Sequence, residues 1–307
     1  MSSSAPERMR VAVVGLGGIG GGAAGCLAAA GRHAVIACAR QPLPRLTLER
    51  PEGSFEVALD ARTDPAEVEP VDWVLLCTKA HQTPSAGPWL ERLCRPGTHV
   101  AVLQNGIDHV ERVTPFAGGA GILPVIVYYN GERLAPDRVR MRSVSTHELA
   151  VPDGEPGRAF ARLMQGTSLN VLLSDDFITL KWRKLLLNAV ANPITALTLQ
   201  RQAVLRRDDV YALGLAVAEE AVAVALADGA QLAVDEPARA MATLMTFARE
   251  LGTSMYFDRL AGGAFEIEAL TGAIVAAGER HGIATPLNRA LLTLLRAIND
   301  AAAEPAG

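Results

Sequence analysis

The strand-like run "RVAVV" passes directly into "GLGGIGGG" and then into the Ala-rich "AAGCLAAAG". Few folds accept so much glycine beside a buried strand. Strand, glycine turn and helix together give the meaning of G-x-G-x-x-G, supplied here by Gly15, Gly17 and Gly20. Gly15 permits a tight turn, Gly17 lets the backbone approach a pyrophosphate, and Gly20 allows close packing of helix on strand. The helix start then offers free N–H groups and a positive dipole end to phosphate. Residues Gly15, Leu16, Gly17, Gly18, Ile19 and Gly20 are therefore the expected dinucleotide-binding turn.

The rest of the first half fits that frame. "HAVIACAR", "DWVLLCTK" and "HVAVLQNG" read as further apolar strands. Near-continuous apolar strands alternating with helical stretches predict a doubly wound, mostly parallel sheet buried on both faces. The second strand ends in Arg40, and no acidic residue occurs from Gly31 through Leu48. An NAD site would place Asp or Glu about 20 residues after the glycines, to bond the ribose 2′-hydroxyl. An arginine there pairs instead with a 2′-phosphate, so the expected cofactor is NADP(H). Arg45 is a second candidate for that phosphate, within a Pro-flanked loop. Thr78, Lys79 and Gln82 follow one strand, and Gln104 and Asn105 follow another. Ligands of open α/β sheets bind beyond the carboxyl ends of strands, so these are candidates for the nicotinamide half and the substrate.

From Gly121 the pattern changes. "GILPVIVYYNGERLAPDRVRMRSVSTHELAVPDG" has strand-like runs separated by the turn signals "NGE" and "PDG", with no long helix. It is expected to add antiparallel or mixed strands at the sheet edge. "NVLLS" reads as a last strand. Helical spacing then covers 176–199, 208–229, 236–251, 265–281 and 286–302, with Gly229, Gly252 and Gly282 near helix ends. The expected architecture is an α/β Rossmann-type domain over 1–174 and an all-α substrate domain over 175–307.

Composition narrows the role. The chain has 307 residues, 20% charged, with net charge −4. Nothing there favours nucleic acid or a membrane surface. No run of about 18 apolar residues marks a span. The leader "MSSSAPERMR" lacks an apolar core and reads as a short disordered lead, and "AAAEPAG" as a frayed tail. Cys26, Cys38, Cys77 and Cys94 form no C-x-x-C pair and have no His at metal-ligand spacing, so no metal is expected. They read as small hydrophobes in a reduced, cytoplasmic setting.

One helix is chemically unusual. "KWRKLLLNAVANPITAL" is apolar nearly all round, yet Lys184, Asn188 and Asn192 advance by about 40° per four residues as a polar stripe. Lys181 falls on the same side. Such a helix is buried, so its stripe needs partners or a wet cleft. A desolvated lysine can donate a proton to a developing alkoxide. Spacing leaves open which of Lys181 and Lys184 that is. Pro193 disturbs the helix, and Asn192 reads as a helix-end partner beside it.

The chain resembles the ketopantoate reductases (2-dehydropantoate 2-reductases). The resemblance covers most of its length through "GLGGIG", "CTKAHQ", "QNG", "KWRKLLLNAVANPITAL" and "TSMYFDRLAGGAFEIEAL". It implies an enzyme that uses NADPH to reduce a 2-keto acid. It implies Lys184 as proton donor and Glu266 as the partner that holds it, with Glu266 also on the cofactor side. It implies that Asn188 and Ser254 orient the substrate and that Asn105 stands between cofactor and substrate. It does not settle Asn192, which stays a substrate-binding candidate from its place on the stripe. Helical pattern alone leaves Glu266 and Glu268 equivalent. The chain departs from the family pattern at Phe265, at "TLQRQAVLRRDD", where Gln202 stands near a missing amide, and at "RELGTSM". Those departures raise a larger or more apolar 2-keto acid as the alternative substrate. A silent NADP(H)-binding sensor is the alternative outside enzymes. The helical part offers surface for a homodimer.

Overall fold

The computed structural model describes residues 8–303. Most of the leader and the last four residues of the tail lie outside them. Residues 301–303 continue the last helix. The chain divides into two compact units: Met1–Gln104 with His109–Phe177, and Asn105–Asp108 with Ile178–Gly307.

The first unit is built on β1 (Arg10–Val14), α1 (Gly18–Ala30), β2 (Ala34–Cys38), β3 (Arg45–Arg50), β4 (Gly53–Ala58), β5 (Asp60–Arg62) and β6 (Trp73–Leu76). It continues through α2 (Gly87–Leu93), β7 (His99–Val102), α3 (His109–Val113), β8 (Gly121–Pro124) and β9 (Ile126–Val127). The hairpin β10 (Tyr129–Ala135) and β11 (Arg138–Ser143) follows, then β12 (Leu149–Pro152), α4 (Glu155–Met164) and β13 (Val171–Ser174). Six strands form an all-parallel sheet in the order β5-β2-β1-β6-β7-β8. With the β3–β4 hairpin set aside, this is the 3-2-1-4-5-6 order of dinucleotide-binding sheets. Side chains alternate along each strand, so β1 sends Val11 and Val13 into one core and Ala12 and Val14 into another. Burial on both faces explains why β1, β6 and β7 are apolar beyond their first residue, whereas the edge strand β5 keeps Asp60 and Arg62.

The region from β9 to β13 does not extend the edge of that sheet. β10 and β11 join β3 and β4 in a separate four-stranded sheet, order β10-β11-β3-β4. β9, β12 and β13 form a third sheet, and α4 lies between β12 and β13. The "NGE" of the sequence is inside β10 rather than a turn. Gly131 is there because a Cβ on it would meet the Gly18 carbonyl carbon at 2.3 Å. The hairpin sheet thus packs on the start of α1. That explains why α1 is apolar on every side: Leu46, Leu48, Val139 and Met141 share a core with Ala23, Ala24 and Leu27. Arg45 is the first residue of β3, not a loop residue, and pairs with Glu56 at 3.0 Å. All four cysteines are free and buried, and burial pushes the Cys38 thiol up to about 12 and Cys94 up to about 11.

The second unit comprises α5 (Phe177–Thr198), α6 (Asp208–Ala227), α7 (Glu236–Thr246), α8 (Ser254–Leu260), α9 (Ala273–His281) and α10 (Pro286–Ala303). A π-turn, Glu268–Gly272, leads into α9. α5 is central. It gives Trp182, Leu185, Leu186 and Ala189 to one core cluster, and Val190, Ala191 and Ile194 to another. Burying each large side chain contributes roughly 1.5–3 kcal/mol. α6 is long and apolar enough to cross a membrane, and it packs against α7, α9 and α10.

Four expectations need correction. α7 ends at Thr246, and the following stretch leads to the short α8 rather than continuing as helix. Gly229 and Gly282 take positive φ, whereas Gly252 does not. Packing fixes Gly252 instead, since a Cβ there would meet Tyr256 at 2.6 Å. α5 runs through Pro193 to Thr198, where Leu199 adopts φ +52°. Asn192 is therefore a buried mid-helix residue, not a helix end.

Candidate active site

The glycine turn has the local features its spacing implies. Gly15 sits at φ +93°, and a Cβ there would lie 2.8 Å from the backbone nitrogen of Thr78. A Cβ on Gly20 would lie 1.9 Å from the Gly15 carbonyl oxygen and 2.8 Å from Cys77. Gly17 is exposed, with no protein atom within 4 Å of where a Cβ would stand. No side chain caps α1 at Gly17, and its first turn holds no acidic residue. Leu16 is buried in the core, while Gly18 and Ile19 are partly exposed. Beneath the turn, the Tyr129 hydroxyl donates to the Ile19 carbonyl at 2.6 Å. Open space over Gly17 and an uncapped helix start suit a pyrophosphate.

Arg40 is exposed two residues beyond β2, and no described ion pair engages it. Arg45, by contrast, is already engaged by Glu56. Thr78 accepts a hydrogen bond from Gln104 Nε2 at 3.0 Å, so the ends of β6 and β7 are tied together. Gln104 Nε2 also lies 3.1 Å from the Thr83 hydroxyl, and Arg112 donates to Gln104 Oε1. Lys79 precedes the short 3-10 segment Ala80–Gln82; it is partly exposed and Gln82 exposed.

The second unit gathers the lysine stripe. Lys181 Nζ donates to the Ile107 carbonyl at 3.1 Å. Lys184 is one turn further along. Burial pushes its pKa down to about 8, and the nearby Glu266 carboxylate opposes that fall. Glu266 is itself buried and accepts from Asn105 Nδ2 at 3.0 Å. Glu268 differs: it is exposed and held by Arg296 through two bonds of 2.7 Å. The geometry thus separates two glutamates that periodicity left equivalent. The reason is that no helix begins at Phe265. Glu266 lies in irregular backbone ahead of the π-turn, with Phe265 and Ile267 on either side buried in the core.

Beyond Lys184 on α5 come half-buried Asn188 and buried Asn192. The Thr195 hydroxyl donates to the Ala191 carbonyl at 2.7 Å and lies 2.7 Å from the Thr253 hydroxyl. Thr253 caps α8 by accepting from the Tyr256 N–H at 3.1 Å. This chain brings the start of α8, and Ser254 as its first exposed residue, to the end of the stripe. Sequence reasoning missed both threonines; the signal was a Thr directly ahead of a short helix, a common N-cap. Gln202 is buried, bonds Leu251 through its backbone, and has no partner for its side-chain oxygen among the described residues.

A dinucleotide-type sheet followed by a helical unit with a desolvated lysine–carboxylate pair defines a pyridine-nucleotide-dependent oxidoreductase. The family model "Ketopantoate reductase PanE/ApbA" matches residues 11–154, and "Ketopantoate reductase PanE/ApbA C terminal" matches 176–299. The chain belongs to this ketopantoate reductase family. It is 37% identical to a 2-dehydropantoate 2-reductase of Caulobacter vibrioides, covering 94% of this chain and 98% of the relative. It is 38% identical, with the same coverage, to a 2-dehydropantoate 2-reductase of Mycobacterium tuberculosis. Its fold matches a crystal structure of a family member from Ralstonia eutropha with TM-score 0.86 and 31% identity, covering 96% of this chain and 100% of the other.

Proposed function

We propose that this protein reduces 2-dehydropantoate to pantoate with NADPH, the reductive step of pantothenate biosynthesis. What carries the reading is the grouping of half-buried Lys184 with buried Glu266, whose carboxylate accepts from Asn105 Nδ2 at 3.0 Å. Burial lowers the Lys184 pKa to about 8, and Glu266 opposes that fall. Bound NADPH supplies the hydride. The residues handle the charge and the proton. Hydride addition to a carbonyl leaves negative charge on oxygen, and a nearby ammonium stabilises it. A lysine near 8 is still largely protonated at neutral pH yet releases its proton readily. Lys184 donates that proton, and Glu266 keeps the ammonium form populated. Asn105 fixes the Glu266 carboxylate. Asn188, Asn192 and Ser254 orient the keto acid, and all three come from the α5 stripe or the α8 start beside it.

The division of labour places nucleotide binding on the Rossmann-type part and substrate binding on the helical part. The turn from Gly15 to Gly20 holds pyrophosphate. Arg40 meets the 2′-phosphate, which sets NADP(H) over NAD(H). Thr78, Lys79, Gln82 and Asn105 serve the nicotinamide side. A cytoplasmic homodimer belongs to the same reading, with Leu213 and Leu226 exposed on α6 as apolar surface for it.

Substitution of the two stripe lysines tests the assignment. Lys184→Ala is expected to lower kcat for 2-dehydropantoate by about 10²–10⁴-fold, the range for a lost general acid. Lys181→Ala should lose much less, because its bond to Ile107 only orders backbone. Equal losses would sink the assignment.

A further inference from the structure

The placement of Glu266 raises a question of backbone accounting. Glu266 lies in neither a helix nor a strand. Irregular backbone must satisfy its polar groups individually. At the preceding residue, one side chain does this. The Phe265 N–H donates to Asn299 Oδ1 at 2.9 Å, and Asn299 Nδ2 donates back to the Phe265 carbonyl at 3.4 Å. An amide that both accepts from and donates to one residue fixes position and orientation together, as a strand partner would. Asn299 is itself half-buried on α10, thirty-four positions away in sequence.

Two further restraints act on the same few residues. Arg296, one turn earlier on α10, holds Glu268 with two bonds of 2.7 Å. The Ile267 carbonyl accepts from the Gly272 N–H at 2.8 Å, which forms the π-turn. π-turns recur at functional sites because they reset side-chain register. Gly106 sits against this turn: a Cβ there would lie 2.7 Å from the Ala269 carbonyl oxygen. The neighbouring Asn105 thereby reaches Glu266.

We propose that Asn299 is a positioning residue for the proton-transfer pair: through Phe265 it sets where the Glu266 carboxylate stands relative to Lys184. This rests on the reading of Glu266 as the partner of Lys184. The charge that acts on Lys184 against its burial is that of Glu266. On the neighbouring backbone, Lys181 of α5 is bonded to the Ile107 carbonyl, and Glu268 is paired with Arg296. Glu266 is the carboxylate that holds the lysine's proton. If Asn299 is lost, Glu266 wanders, and the ammonium loses part of its support.

The test uses the full chain, with initial rates of NADPH oxidation on 2-dehydropantoate across pH, NADPH dissociation constants and thermal melts. Asn299→Ala is expected to lower kcat by about tenfold and to leave NADPH affinity within about twofold. It should also move the basic limb of the pH profile to lower pH. In a Glu266→Gln background it should add little, because residues acting through one another are not additive. Asn299→Ser, which keeps polarity but loses reach, should move the limb in the same direction and serves if the alanine variant does not fold. An unmoved limb in both variants overturns the proposal, as does a full additional loss in the Glu266→Gln background. The two readings fail separately. A Glu266→Gln protein with wild-type rates and profile overturns the role of Glu266, whereas an impaired Glu266→Gln protein beside a wild-type-like Asn299→Ala overturns only the role of Asn299.

Discussion

Lys184 carries two opposed influences, and their sum sets a pH dependence. Burial disfavours the ammonium, Glu266 favours it, and burial wins, leaving the pKa lowered to about 8. With Lys184 as the proposed proton donor, the rate should fall as pH rises through about 8. Replacing Glu266 by Gln removes the influence that raises the pKa, so that fall should move to lower pH. A pH series of kcat/KM on both proteins checks the sign; a shift to higher pH would contradict it. The sequence displayed both lysines but could not rank them, because three residues of helix leave them on one side. What separates them is whom they meet, Ile107 for one and Glu266 for the other, and those residues lie far along the chain. The two glutamates were equivalent for a related reason. An unbroken helix from 265 was the natural reading, while the true backbone there is irregular and turns as a π-helix.

At the scale of elements, the glycine turn was readable because its causes are local. The positive φ of Gly15 and the closeness of Gly20 to the Gly15 carbonyl follow from one strand, one turn and one helix. Gly20→Ala would force a Cβ to within 1.9 Å of that oxygen. Loss of NADPH binding with a lowered melting temperature is expected, and a binding titration beside a melt checks both. The hairpins β3–β4 and β10–β11 were not readable as one sheet. Their inward alternation is present, with Leu46 and Leu48 buried on one strand and Val139 and Met141 on another. Flanking prolines and outward charges such as Glu49 and Arg140 hid it. Asn130-Gly131 looked like a turn because that pair usually is one; here glycine is required by the approach to Gly18. The N-cap of α8 supports another expectation. Thr253→Ala should cost about 1 kcal/mol of stability and raise KM for the keto acid through Ser254, without changing NADPH affinity. Unaltered KM and melting temperature would remove Thr253 from the account.

The whole molecule is a reductase built from two units, each with its own core. The parallel sheet was evident from apolar strands in alternation with helices, and the helical half from three- and four-residue spacing. The placing of Asn105–Asp108 with the helical unit was not evident, since it depends on contacts of Gly106 and Ile107 with segments more than seventy residues away. The proposed preference for NADPH rests on Arg40. Arg40→Ala should raise KM for NADPH by roughly tenfold or more, as expected for losing a charge-assisted bond, and leave KM for NADH little changed. The departures at Phe265 and Gln202 concern substrate size. The Phe265 ring is packed in the core, 2% exposed, so it fills the interior instead of widening a site. Turnover of a panel of 2-keto acids, each with NADPH and with NADH, tests the central claim most directly. 2-Dehydropantoate with NADPH should give the highest kcat/KM of the panel. NADPH binding without turnover of any keto acid would contradict it.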